Sequence, residues 1–567
     1  MTRKLTIGVD FGTESVRALV LDITTGEETA EAVHSYPHGV IDRFLPLTGR
    51  ALGSDWALQH PGDWLEGLNT VVREAVERAQ ARPEEVIGLG IDFTSCTVLP
   101  TLSDGTPMCR LGEWSSFPHA WPKLWKHHAA QPQADRINQV AAEVPGLDLA
   151  DYGGRLSSEW VLPKALQLLE EAPEVFHAAE RFIEAGDWIT WMLTGREARS
   201  GQAAGFKGAY RAEVGAYPPA AFLEALTPGF SGLLTKLSTQ LHAAGERMGG
   251  LSPEWAAQLG LLEDTAVATG NMDAQVAVVA CGSISAGDMT LVMGTSVCNL
   301  LQADSRVAVE GMSGRVRDAI VPGLWTYEAG QAGVGDMFAW FVRNAVPAAY
   351  EAAARKAGTD VYVHLESLAS RINPGQNHVL ALDWWNGNRS VLTDDHLSGT
   401  LIGMTLATRA EHIYRALLEA AALSQRVIID SFEEAGAPVR RIVACGGLPH
   451  RSPLLMQILA DVTGREIEIS GTRQASARGA AIHAATAAGP ERGGFPSLKA
   501  ASSHLASPGH IYRPVPTASA AYEAVLDDYL RLHDLLGRHH PDLMYRLRRR
   551  SAASEQSNYN EVQGVTL

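Results

Sequence analysis

The feature that most constrains the fold of this chain is a loop that occurs twice. Residues 7–16 read IGVDFGTESV and residues 291–297 read LVMGTSV, so each copy runs from an apolar strand through a Gly-Thr turn into another apolar strand. Glycine lets a ligand approach the backbone closely, and the N–H groups and hydroxyls of such turns suit phosphate oxygens. Two hairpins of this kind facing each other would hold a nucleotide triphosphate, through Gly12, Thr13, Gly294 and Thr295.

The length and charge of the chain limit its architecture and its partners. A chain of 567 residues is too long for one ordinary core, so we expect two domains with a cleft between them. The net charge is −17, from 47 basic and 64 acidic residues, which argues against nucleic acid as a partner. An anionic substrate would therefore need a local basic pocket.

The cysteines and the N-terminus predict a cytoplasmic protein. The five cysteines are scattered and contain no Cys-x-x-Cys pair, so we interpret them as reduced core residues. The strand at residues 5–9 begins too close to Met1 to leave room for a signal peptide. Apolar runs such as residues 274–281 are too short to cross a bilayer, so no membrane association is expected.

Strand and helix patterns alternate along the chain, as expected of an α/β protein. Strands are predicted at residues 5–10, 16–22, 86–91 and 288–293, with a helix at 63–78. Residues 101–260 are less periodic and read as insertions that shape a pocket. We expect an N-terminal domain at 1–264, a C-terminal domain at 265–545 and a loose tail at 546–567.

The C-terminal half contains a surface suited to a nucleoside. A long helix at 411–435 is predicted to stop at Gly436, and the strand at 441–445 ends in Gly446 and Gly447. Ser452 and Pro453 then supply the N-cap and first turn of the next helix. A strand, a Gly-Gly turn and a helix N-terminus let a flat base and ribose approach without interference from Cβ atoms.

The order of several motifs resembles the FGGY family of carbohydrate kinases. These motifs are GVDFGTESVRA at 8–18, WKHH at 125–128, GNMD at 270–273, MGTS at 293–296, EAGQ at 328–331 and GG at 446–447. The resemblance extends over residues 4–530 and implies an α/β fold with two actin-like ATPase (ribonuclease H-like) domains and an inter-domain cleft. Within the family, the subgroup of L-ribulokinases is most similar, on YGG at 152–154, SEW at 158–160, the stretch 328–341 and LDWWNG at 382–387.

The resemblance implies ATP-dependent transfer of a phosphoryl group to the O5 hydroxyl of L-ribulose, a step of L-arabinose catabolism. Such a reaction needs a base for the hydroxyl, and Asp273, which follows the strand at 266–269, is our candidate. From local sequence alone, a buried Asp at the end of a strand is more often a cap or a hydrogen-bond anchor. The family match favours the catalytic role.

Phosphate charge must also be neutralised. No Lys is followed by Ser or Thr, which excludes a P-loop. We therefore expect Mg²⁺ near Asp10, held largely through waters, together with the donors of the two hairpins. A turn-forming Asp between strands is the alternative reading of Asp10.

Sugar contacts are implied by the same resemblance. Lys207, Asp273 and Glu328 are expected to bind the ribulose hydroxyls and carbonyl, with help from Cys96 and Thr97. Lys207 lies in a Gly-rich stretch, although a lone Lys is usually a surface residue. A homodimer is also plausible by resemblance.

Further motifs are interpreted as structural. The WKHH motif would form a pocket wall or a second layer behind it, since adjacent histidines point apart. Trp384 and Trp385 would pack the inter-domain region, and the small-residue helix from Gln474 would pack on the sheet near the adenosine site.

Two other functions remain open at this stage. A kinase of the same family acting on D-ribulose, D-xylulose or glycerol would keep every nucleotide motif. An actin-like or chaperone-like ATPase would use the nucleotide to change shape and bind protein, but only the shared hairpin supports it.

Overall fold

Two seven-stranded sheets organise the chain, whose computed structural model describes residues 3–550. Within these residues the strands, in chain order, are β1 (Leu5–Phe11), β2 (Ser15–Asp22), β3 (Glu27–Ser35), β4 (Val86–Phe93), β5 (Val98–Thr101), β6 (Arg181–Glu184), β7 (Arg247–Gly250), β8 (Ala266–Ala268), β9 (Asn271–Met272), β10 (Asp288–Met293), β11 (Val297–Ala303), β12 (Gly314–Arg317), β13 (Trp325–Gln331), β14 (Leu380–Leu382), β15 (Thr400–Ile402), β16 (Arg441–Cys445), β17 (Ile467–Ser470) and β18 (Pro508–Tyr512).

The α-helices surround and connect these sheets. In chain order they are α1 (Pro61–Arg78), α2 (Gln131–Glu143), α3 (Val161–Glu171), α4 (Pro173–Ala178), α5 (Ala185–Thr194), α6 (Gly201–Gly208), α7 (Ala220–Leu226), α8 (Pro253–Leu259), α9 (Asp273–Ala280), α10 (Val334–Ala345), α11 (Ala348–Lys356), α12 (Val361–Ala369), α13 (Ala410–Glu434), α14 (Gly447–Arg451), α15 (Pro453–Thr463), α16 (Ala475–Ala488), α17 (Leu498–Leu505) and α18 (Pro516–Asp534).

The two sheets share a local topology. The first has the order β3-β2-β1-β4-β8-β7, with β9 also paired to β4, and the second has the order β12-β13-β11-β10-β16-β17-β18. In each, an antiparallel hairpin (β1 with β2, β10 with β11) has an antiparallel neighbour on one side and a parallel strand on the other. The loop that occurs twice in the sequence is therefore the turn of the equivalent hairpin in each sheet, and the α/β prediction is confirmed.

The boundary between the halves differs from the predicted one at residue 265. Strands β8 and β9 follow that residue but pair with β4 of the first sheet, and the second sheet begins only at β10. The local sequence does not reveal which sheet such short parallel strands join, because a strand has the same periodic pattern in either sheet.

Helix α16 joins the halves by backbone contact. Although it belongs to the C-terminal half of the sequence, it packs on β1, β4 and β8, as well as on α9. A Cβ atom added to Gly8 would lie 1.8 Å from the carbonyl oxygen of Ala477, and one added to Gly90 would lie 2.0 Å from that of Ala480. The predicted small-residue helix is present, and besides packing on the first sheet it shares a hydrophobic cluster with Val443 and Cys445 of β16, the strand that precedes Gly446.

Four hydrophobic clusters make up the core. One packs β1, β2 and β4 against α1 and α5, and another packs the second sheet against α10, α13 and α15. A third lies between the halves around α9, α16 and α17. The less periodic middle region has its own cluster, built mainly from α3, α4 and α7. Trp384 is buried in the cluster of the second sheet rather than between the halves.

The C-terminal segment was expected to be loose from residue 546. Residues 541–550 are helical, and Arg548 Nη1 donates a hydrogen bond of 2.9 Å to the carbonyl of Leu397. Residues 551–567 of the predicted tail lie outside the described residues. Among residues 3–550, no helix combines the length and the apolarity needed to cross a bilayer.

We predict that Gly90→Ala destabilises the protein. The new methyl group would overlap the Ala480 carbonyl of α16, and overpacking of this kind costs about 1–3 kcal/mol. Thermal unfolding should show a melting temperature several degrees lower. Gly112→Ala is the matched control, since nothing lies within 4 Å of its Cβ position. Equal melting temperatures for the two variants would contradict the close packing.

Candidate active site

Two aspartates lie side by side at the ends of the central strands of the first sheet. The parallel register of β1 and β4 pairs Asp10 with Asp92, and Arg17 on β2 lies opposite Asp10, with its Nε 3.3 Å from Asp10 Oδ2. Burial raises the pKa of Asp10 despite the charge of Arg17. Burial also raises the pKa of Asp92 well above its usual range, and the charges of Asp10 and Asp273 act in the same direction.

Asp273 stands next to this pair. Strand β9 pairs with the end of β4, where Asn271 is opposite Asp92, and Asp273 then begins α9. Its Oδ1 accepts a 2.8 Å hydrogen bond from the backbone N–H of Ala274. Burial, with the charge of Asp10, raises the pKa of Asp273 to about 7. A carboxylate with such a pKa is a suitable general base near neutral pH.

Lys207 and Glu328 form a buried ion pair beside Asp273. Their side chains are 6% and 9% exposed, and Lys207 Nζ lies 2.7 Å from Glu328 Oε1. Gln275 Nε2 donates to the other carboxylate oxygen at 2.9 Å, and the Lys207 ammonium lies over the Trp160 ring, 5.4 Å from its centroid. Burial acts to lower the pKa of Lys207, but the charge of Glu328 brings it above its ordinary value. Residues from α6, α9 and β13 thus meet in one polar cluster.

Cys96 and Thr97 lie in the turn between β4 and β5. Cys96 has a positive φ of 61°, and its carbonyl accepts a 2.7 Å hydrogen bond from the buried Lys164. Thr97 Oγ1 is 2.9 Å from Thr94 Oγ1. Burial raises the pKa of the Cys96 thiol well above its ordinary value, so at neutral pH it is a neutral group.

Hydrogen bonds within the first hairpin and from two other segments of the chain position its turn. Gly12 N–H donates to the Ser15 carbonyl at 2.9 Å, while Thr13 Oγ1 accepts from Trp125 Nε1 at 3.0 Å and the Thr13 carbonyl accepts from Gln59 Nε2 at 2.8 Å. The tryptophan of the WKHH motif therefore positions this turn.

The two histidines of that motif point to different partners. His127 is buried and lies 2.9 Å from Gln167 Oε1, whereas His128 pairs with Glu159 at 3.0 Å.

The turn of the second hairpin is one residue shorter than that of the first, and the hairpin meets the Gly-Gly segment. Gly294 N–H donates to the Ser296 carbonyl at 2.8 Å. Gly446 has a φ of 92°, and a Cβ there would lie 2.5 Å from the Met293 carbonyl. Gly447 begins the one-turn helix α14, so the predicted Gly-Gly turn is a left-handed Gly446 followed by a helical start at Gly447.

The structure brings the predicted residues together in two groups. The charges of Asp10 and Glu328 raise the pKa of Asp273, and the charge of Lys207 lowers it. On the second sheet, Gly446 contacts Met293, the residue before Gly294. Between the described residues of the two hairpin turns there is no hydrogen bond.

Sequence reasoning missed Asp92 and Gln275. Asp92 was visible only as a polar residue at the end of a buried strand. Its importance comes from the β1–β4 register, which local sequence does not reveal. Gln275 was hidden because it lies within the apolar helix α9, where only the fold shows that its side chain reaches Glu328.

Known proteins match the chain over nearly its full length. The C-terminal domain of the FGGY family of carbohydrate kinases matches residues 289–488. A ribulokinase of Halalkalibacterium halodurans is 46% identical over 550 residues, covering 97% of this chain and 98% of its own. A ribulokinase of Mycolicibacterium smegmatis is 45% identical over 564 residues, covering 99% of both chains.

Solved structures share the fold at lower identity. A xylulose kinase from Rhodospirillum rubrum has a TM-score of 0.75 at 21% identity, covering 95% of this chain and all of its own. A gluconate kinase from Lactobacillus acidophilus has a TM-score of 0.77 at 16% identity, with the same coverage. The predicted α/β fold is confirmed by this likeness, and the identity to ribulokinases over nearly the full chain defines a sugar kinase. The chain belongs to the FGGY family of carbohydrate kinases.

We predict that Lys207→Met lowers stability strongly because it leaves Glu328 as a buried charge without its cation. Breaking a buried pair costs about 3–5 kcal/mol. The double variant Lys207→Met/Glu328→Gln should recover much of this loss, because no buried charge remains. Chemical unfolding of the wild type, the single variant and the double variant tests this, by comparison of their midpoints.

Arg513→Met serves as the control for the loss of an ion pair. Arg513 and Glu466 are 68% and 58% exposed, and such surface pairs contribute about 0–1 kcal/mol. If Lys207→Met changed the midpoint as little as Arg513→Met does, the proposed burial of the pair would be wrong.

Proposed function

We propose that this kinase transfers the γ-phosphoryl group of ATP to the O5 hydroxyl of L-ribulose, giving L-ribulose 5-phosphate and ADP in L-arabinose catabolism. The observation that carries the proposal is the placement of Asp273, a buried carboxylate with a pKa of about 7, beside the polar cluster of Lys207 and Glu328. Identity of 45–46% to two ribulokinases over nearly the whole chain supports the choice of sugar.

Asp273 is proposed as the general base. A sugar hydroxyl loses its proton as the phosphoryl group arrives, and a carboxylate can accept that proton late in a loose transition state. Lys207 and Glu328 would orient the sugar, since an ammonium and a carboxylate can bond a carbonyl and hydroxyls respectively. Cys96 and Thr97 would border the same pocket from the β4–β5 turn.

ATP would lie between the two hairpins. Gly12, Thr13, Gly294 and Thr295 are proposed to contact its phosphates, and Gly446 and Gly447 its adenosine. Mg²⁺ would lie near Asp10, where it would offset phosphate charge. The residues fit such an ion, because Asp10 and the adjacent Asp92 are carboxylates with a single nearby guanidinium, that of Arg17.

We also propose that the protein is cytoplasmic. All five cysteines are free thiols, four of them buried, which supports a reducing compartment such as the cytoplasm. A homodimer remains a proposal by family resemblance.

The decisive experiment measures ADP release by the purified protein with Mg-ATP and one of five substrates: L-ribulose, D-ribulose, D-xylulose, L-xylulose or glycerol. We expect L-ribulose to give the highest kcat/KM, because the chain is 45–46% identical to two ribulokinases over nearly its full length. A reaction without sugar is the control.

The other functions make different predictions in this assay. Preference for another sugar would retain the kinase and overturn the substrate. ADP release equal to the sugar-free control for every compound would favour an ATPase that binds protein.

We predict that kcat/KM for the sugar rises with pH through about 7 and levels off above it. Only ionised Asp273 can accept a proton, and burial together with the charge of Asp10 keeps the carboxyl protonated at lower pH. The other charged groups that act on it are Asp92, Glu328 and Lys207.

Asp273→Asn is the matched variant, since it keeps the shape and removes the base. Its kcat should fall by about 10²–10⁴-fold, the usual contribution of general acid–base catalysis. A flat wild-type profile between pH 5.5 and 8, or full activity of the variant, would exclude the role given to Asp273.

A further inference from the structure

Asp92 is a buried carboxyl of the candidate active site that lacks a hydrogen-bond donor among the described residues. It is fully buried, and within the described residues neither of its carboxylate oxygens receives a hydrogen bond from an N–H or O–H donor. Buried carboxylates are normally paired, hydrogen-bonded or bound to a metal ion. The polar group that its carboxyl meets is another carboxyl, that of Asp10 on the adjacent strand.

The β1–β4 register forces this encounter. Paired residues of neighbouring strands are about 4.8 Å apart, and their side chains leave the sheet on the same face. Gly8 and Gly90, two residues before Asp10 and Asp92, contact the backbone of α16, so all four residues share the face that α16 covers. Asp10 and Asp92 therefore extend side by side from this face, two residues beyond the glycines that contact α16.

Charge around the pair is unbalanced. Asp273 adds a third carboxyl, whereas Arg17 approaches one oxygen of Asp10 and Lys207 is engaged by Glu328. Three carboxyls with one adjacent guanidinium attract a cation. Oxygen ligands in pairs of carboxylates are those that Mg²⁺ and Mn²⁺ accept.

We propose that Asp92 and Asp10 together form a divalent-cation site that this kinase can fill before ATP binds. Asp10 alone would depend on nucleotide phosphates to retain the ion, whereas two adjacent carboxylates supply enough charge to hold it in the free enzyme. Asp92 would thus position the ion for the proposed phosphoryl transfer without touching the sugar. The role of this ion in phosphoryl transfer rests on the proposed function, whereas binding of the ion by Asp10 and Asp92 does not depend on the identity of the sugar.

The test is Mn²⁺ binding in the absence of nucleotide and sugar, measured by electron paramagnetic resonance of the free ion. Wild-type protein should bind Mn²⁺, and Asp92→Asn should bind it at least 10-fold more weakly, in the range seen when groups around a metal are removed. Asp10→Asn should weaken it as well. Asp42→Asn, at an exposed position, is the control and should match wild type.

A second readout separates this role from a merely structural one. In the kinase assay, Asp92→Asn should raise the Mg²⁺ concentration needed for half-maximal rate at least 10-fold, while kcat at high Mg²⁺ approaches that of wild type. Circular dichroism establishes that the variant is folded, and Asp92→Ser replaces it if the asparagine variant is not.

Two results would overturn the proposal. One is a wild-type protein that binds no Mn²⁺ at several millimolar without nucleotide, and the other is a folded Asp92 variant with wild-type Mn²⁺ affinity. Either would mean that Asp10 and Asp92 do not together hold an ion in the free enzyme. Failure of the sugar assignment would leave these Mn²⁺ measurements unchanged, so the two proposals fail separately.

Discussion

The close contact between α16 and the first sheet is the constraint on which the rest of the structure depends. The glycines of β1 and β4 leave no room for side chains, so backbone carbonyls of α16 lie against the strands themselves. Gly479 on the same helix makes an equally close approach to α9, with its Cβ position 2.0 Å from the Val276 carbonyl. The two halves are therefore joined through a layer of small residues, and α9 is held where its first residue reaches the strand ends.

That packing explains the electrostatics of the cleft. Asp10 and Asp92 come from β1 and β4, and Asp273 comes from the start of α9, so three carboxyls gather where the two halves meet. Burial raises the pKa of all three carboxyls, and the charge of Asp10 adds to this for Asp92 and Asp273, which suits a base that must take a proton near neutral pH. The ion pair of Lys207 and Glu328 forms the neighbouring wall from α6 and β13. A sugar kinase needs both environments within reach of one hydroxyl.

The family, the fold and the roles of single residues rest on different observations. The family follows from identity over nearly the full chain, while the solved sugar kinases show the fold alone. The roles of single residues come from the contacts described above and from chemical reasoning about phosphoryl transfer. The roles given to Asp273, the hairpin residues and the sugar contacts remain predictions, and the pH profile with the Asp273→Asn variant tests the role of the base.

Much of the local structure was determined by the sequence itself. The hairpin turns, the strand at 288–293, the long helix that ends before Gly436 and the Ser452 cap all follow from local periodicity and from residues with a restricted backbone or a capping side chain. The tertiary structure alone decided that β8 and β9 belong to the first sheet, that α16 packs across the halves, and that Asp92 lies beside Asp10. Strand register and packing between distant segments depend on contacts across hundreds of residues, and periodicity within one segment carries no information about its partner.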